Sequence, residues 1–103
     1  MDIYFTSAAL SEECNSKAAL ARRWGPERGA LVEQQLTELQ ALDCLDDYLG
    51  LPHVEASSTR QGTTLRAARG LVIVVRAEHE ATAETQRLTV VAVEERAEES
   101  WDH

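Results

Sequence analysis

A chain of 103 residues can bury one modest hydrophobic core and is too short for two, so a single domain spanning residues 1–103 is expected. Hydrophobic residues make up 44% and charged residues 27%, as in an ordinary globular domain, and no apolar run approaches the roughly 20 residues of a membrane helix. The net charge of −8 argues against a broad, non-specific nucleic-acid surface.

The opening Met-Asp-Ile-Tyr-Phe-Thr has neither the basic n-region nor the long apolar stretch of a signal peptide. Cys14 and Cys44 have no paired spacing and no further cysteine near them, which predicts free thiols and a cytoplasmic protein. Three scattered histidines without companion ligands predict no metal site. The charge distribution says more than its sum. Each half holds nine acids, yet none falls between Glu55 and Glu78, while Arg60, Arg66, Arg69 and Arg76 all do. Such a window can present a local positive patch on an acidic protein. Its plainer reading is a set of surface arginines on a sheet.

Residues 2–6 alternate weakly, Ile3 and Phe5 against Tyr4, and read as a short strand. Ser7 is placed to cap a helical segment reaching towards Cys14, and Asn15-Ser16 to cap a second one over 17–24. Gly25-Pro26 ends that helix and begins the next. From Glu27 onward Leu31, Val32, Leu36, Leu39 and Leu42 recur at helical spacing, with Gln34, Gln35, Glu38 and Gln40 opposite. Gly29 lies inside this helix at an expected cost of about 1 kcal/mol against Ala. Asp43 is placed to cap a last short turn holding Leu45, Tyr48 and Leu49, before Gly50-Leu51-Pro52 closes the helical half.

Beyond Pro52 the residues become β-branched. Segments 54–59, 63–68, 71–76 and 88–94 read as strands, with turns at Gln61-Gly62 and Arg69-Gly70 and a polar loop over 78–86. The run 71–76 has the composition of a strand buried on both faces. In 88–94, Leu88, Val90 and Ala92 alternate with Thr89, Val91 and Val93. The acid-rich residues 95–103 read as a strand extension or a tail, with Glu94-Glu95 and Glu98-Glu99 as a solvated face or a contact for a basic partner segment. The expected fold is α+β: an N-terminal strand, two main helices, then an antiparallel twisted sheet covered by helices on one face.

The order and several motifs resemble the HigB-like branch of the RelE/ParE toxin superfamily. They are Ile3-Tyr4-Phe5-Thr6-Ser7 with Cys14-Asn15-Ser16, then Ala-Arg-Arg-Trp-Gly at 21–25, Leu36-Thr-Glu-Leu39, Leu51-Pro52, and the ending Trp101-Asp102-His103. The match is close over residues 3–52. The resemblance implies a β-α-α-β-β-β fold and the toxin of a type II toxin–antitoxin pair. Such a protein cuts mRNA on the ribosome without metal or other cofactor and is restrained by a HigA-like helix-turn-helix antitoxin. The chemistry is attack of a 2′-OH on the adjacent phosphodiester. It needs a base, cations for the charge developing on phosphorus, and an acid for the leaving oxygen. Arginine suits the cationic role because its fork binds phosphate oxygens bidentately.

The same resemblance places Arg60 as a phosphate-binding cation, Arg69 as a neighbour standing in for a strand arginine, and His103 as the acid or base. Arg66 and Trp101 are candidates for binding RNA, Trp101 by stacking on a base. Departures cluster in the same half. Ser57 stands where the family offers a loop histidine, His53 comes too early to replace it, and Gly70-Leu71 replaces the family's aromatic-arginine pair. A second expectation follows from these losses: a catalytically degraded relative that works by binding a protein, either an antitoxin-like regulator or a gyrase-type target.

Overall fold

The computed structural model describes residues 1–60, 62–78 and 86–96. Strand β1 (Asp2–Phe5) leads into helices α1 (Ala8–Cys14), α2 (Lys17–Trp24), α3 (Pro26–Ala41) and α4 (Leu45–Leu49). Strands β2 (Ala56–Thr59), β3 (Gly62–Ala68), β4 (Leu71–Glu78) and β5 (Arg87–Glu95) follow. The α+β class and the helices-then-strands order agree with the sequence reading.

The helices begin where their capping residues stand. The Ser7 hydroxyl accepts the Leu10 N–H at 3.1 Å, and Ser16 accepts that of Ala19 at 3.1 Å. Each satisfies a first-turn donor that the helix itself cannot reach. Gly25, at φ 92°, ends α2 and opens α3, with Pro26 at the first-turn position. The N-cap position of α4 is Cys44 instead of Asp43 and makes no side-chain capping bond; the N–H of Leu45 is satisfied by Gln86 Oε1 at 2.8 Å.

Along α3 the buried residues are Gly29, Val32, Gln35, Leu36 and Leu39. Two expectations change. Leu31 is 43% exposed, because the buried stripe runs through Gly29, packed on α2, and residues 32, 36 and 39, and leaves Leu31 on the flank. Gln35, expected on the polar face, is buried, and its amide nitrogen donates to the Arg66 carbonyl at 3.1 Å.

The sheet has five strands in the order β1-β5-β4-β3-β2. It is mixed where an antiparallel one was expected: β2 to β5 run antiparallel, but β1 pairs with β5 in parallel, Ile3 opposite Leu88 and Phe5 opposite Val90. Apolar alternation specifies which face of a strand is buried; it does not specify the direction of a partner more than eighty residues away.

Leu65, Leu71, Ile73, Val75, Leu88, Val90 and Val93 line the helix-facing side of the sheet. They pack with Cys14, Leu20, Val32, Leu36, Leu39, Leu45 and Tyr48. The alternation predicted for β5 breaks at Val91. Val75 pairs with Val90 and Val74 with Ala92, so Val91 is an extra residue in the ladder. Beyond this bulge Val93 enters the core and Ala92 turns away from it. Val72 and Val74 point away from the helices, yet both are buried, as expected of a central strand covered on both faces.

Candidate functional site

The side chains opposite the helices follow from the register. Arg66, Val72 and Glu94 form one row across β3, β4 and β5, and Thr64, Val74 and Ala92 form the next. Arg76 and Thr89 continue the face towards Tyr4 on β1, followed by Glu78, Arg87 and Asp2. In the middle of this face the cations are tied to carboxylates. Arg66 Nη1 lies 2.7 Å from Glu55 Oε2, and Arg96 Nη2 lies 2.6 Å from Glu94 Oε1. Arg96 Nη1 also reaches Thr64 Oγ1 on β3 at 3.5 Å, so its guanidinium crosses β4 above the two valines. Arg96 had no role in the sequence reading, since residues 94–96 read only as part of an acidic segment.

Arg60 is exposed in the turn after β2, and Arg69 is exposed in the turn between β3 and β4. The seven residues of β3 lie between them, a span of roughly 20 Å. The two therefore cannot grip one phosphate. Arg69 shares its end of the sheet with Gly70, whose carbonyl accepts the Arg96 N–H at 2.9 Å, and with the Arg28–Glu95 ion pair at 3.3 Å. His103 and Trp101 lie outside the described residues, as does His79. His53 sits at the surface against Glu38, 3.2 Å away, on the helical layer. Ser57 pairs with Thr64 and shares the face turned from the helices.

At the Arg60 end the arrangement is different. Thr63 pairs with Val75, which sets Gly62 beside Arg76, and a Cβ on Gly62 would stand 3.4 Å from the Arg76 Cα. Arg76 is exposed, and among the described residues neither it nor Arg60 has an ion-pair partner. Two strands along, Tyr4 is 45% exposed, with the Arg87 guanidinium 4.7 Å from its ring centre. Alternation had already put Tyr4 on the face opposite Ile3 and Phe5. Its nearness to Arg76 and Arg87 depends on the pairing of β1 with β5.

Clefts of about 280 and 440 Å³ lie beside β1, sharing Ile3, Phe5, Asn15 and Gln40 as walls. Cys14 lines the first; burial, reinforced by Glu13, pushes its thiol up to about 11 and leaves it a poor nucleophile. Among the described residues no group of His, Cys, Asp and Glu is arranged to hold a metal ion, and no helix is long and apolar enough to cross a membrane. No protein-family model matches the chain, and no curated protein or solved structure matches it significantly.

Proposed function

We propose that the chain is the toxin component of a type II toxin–antitoxin pair, a HigB-like member of the RelE/ParE superfamily that acts in the cytoplasm on ribosome-bound mRNA. The observation that carries this reading is the fate of the acid-free window. It folds into β2, β3 and β4 and presents Arg60 and Arg76, neither with an ion-pair partner among the described residues, at one end of the sheet. Cations in such a place can balance charge on a phosphodiester under attack by its 2′-OH. The order of one strand, four helices and four strands, two of the helices being short additions to a β-α-α-β-β-β plan with one extra strand, is compatible with the same reading, and the motifs of residues 3–52 support it. Arg60 is the phosphate-binding cation and His103 the proton-transfer group, with Arg69, Arg66 and Trp101 as further contacts to RNA. A HigA-like helix-turn-helix antitoxin is the restraining partner.

The test is induction of the chain in growing bacteria, with culture density and transcript integrity followed together. Growth arrest with cleaved mRNA, relieved by the antitoxin, is the expected result; unimpaired growth with intact transcripts refutes it. The second reading, a degraded relative working by protein binding, is favoured by the carboxylates that hold Arg66 and Arg96 and by the span between Arg60 and Arg69. It predicts intact mRNA together with a stable complex between the chain and its partner protein.

A further inference from the structure

We infer that Tyr4, Arg76 and Arg87, with Thr89 between them, form a platform that holds single-stranded RNA: a base stacks on Tyr4 and the adjoining backbone lies along Arg76 towards Arg60. The inference rests on the proposed function for the identity of the strand; the geometry comes from the sheet. Tyr4, Thr89 and Arg76 occupy one row across β1, β5 and β4, so the first and last stand two strands, or roughly 10 Å, apart.

Each residue supplies a different part of what unpaired RNA offers. The Tyr4 ring is 45% exposed, which leaves aromatic surface open to a base. Arg87 lies against it at 4.7 Å, an arrangement that fixes the ring and adds a cation beside any base stacked there. The Thr89 hydroxyl, in the middle of the row, can donate to a phosphate or ribose oxygen or accept from one. Arg76 and Arg60 extend the row as cations without ion pairs among the described residues, so a phosphate need not displace a carboxylate to reach them. In the centre of the same face Glu94 and Glu55 pair with Arg96 and Arg66, so a phosphate there competes with a carboxylate. Asp2 and Glu78 flank Arg87 in register, and together with the net charge of −8 they keep affinity modest and strongly dependent on salt.

Binding of a fluorescent single-stranded RNA of about eight nucleotides to the full chain, followed by anisotropy over a range of salt concentrations, tests the platform. Saturable binding is expected. Tyr4→Ala should weaken it roughly ten-fold and Tyr4→Phe should restore it, because stacking needs the ring and not the hydroxyl. Arg76→Gln should weaken binding and flatten the salt dependence by about 0.7 in log–log slope. Arg22→Gln, at an exposed position of α2, should bind as the parent does. Circular dichroism confirms that each variant is folded. The platform is overturned if the parent shows no saturable binding, or if folded Tyr4→Ala and Arg76→Gln bind as the parent does. Cleavage of mRNA on programmed ribosomes separates the two proposals. Cleavage unaffected by either substitution leaves the toxin reading standing and removes the platform. Binding that depends on Tyr4 in a chain that never cleaves RNA keeps the platform and removes the nuclease.

Discussion

Burial of the Cys14 thiol against the core favours its protonated form, and the tyrosine next in this respect, Tyr48, is also shifted upward by burial. The sign follows. A thiol whose ordinary value is 9 and whose folded value is about 11 contributes stability that is complete below pH 9 and is lost as pH rises towards 11. Tyr48 acts in the same direction. The urea midpoint should therefore fall over this range, and Cys14→Ala should lessen the fall without abolishing it. At neutral pH a thiol reagent should modify the half-buried Cys44 well before Cys14, read as two kinetic phases that merge on unfolding. Gly29 carries another residue-scale prediction. Helix propensity alone favours Ala there, but a Cβ at Gly29 would stand 2.8 Å from the Leu20 carbonyl carbon and oxygen. Gly29→Ala should thus destabilise the fold by about 1–3 kcal/mol in chemical denaturation, where a gain would indicate that α2 and α3 are farther apart.

Among the elements, the helix starts were the most legible in the sequence. Ser7 and Ser16 stand before their helices and make the capping bonds expected of them, so Ser16→Ala should cost about 1 kcal/mol of stability in urea titration. Strand bounds were legible to within a few residues because β-branched runs are punctuated by glycine and proline. The bulge at Val91 was not. It exchanges the faces of Ala92 and Val93, and only the pairing with β4 reveals it. The stripe on α3 was readable in period but not in phase, since Leu31 and Gln35 take their burial from where the helix crosses the sheet. The exposed partnership of Arg66 with Glu55 contributes little, and Glu55→Gln should change stability by less than about 1 kcal/mol.

At the scale of the whole molecule, the sequence by itself determined the α+β class, the succession of helices and strands, the free thiols and the acid-free window bearing Arg60, Arg66, Arg69 and Arg76. These depend on local periodicity, capping chemistry and composition, which are properties of neighbours along the chain. Tertiary structure decided what those arginines can do together. It put Arg60 and Arg69 at opposite ends of β3, bound Arg66 to Glu55, brought Arg96 across β4 to Thr64, and set Arg76 in a row with Thr89 and Tyr4. It also made β1 the parallel neighbour of β5, giving a tyrosine near the start of the chain a place beside arginines from near its end. The physical reason is that strand order, direction and register arise from closing one core over distant segments. A charge pattern in sequence becomes a surface only after that closure.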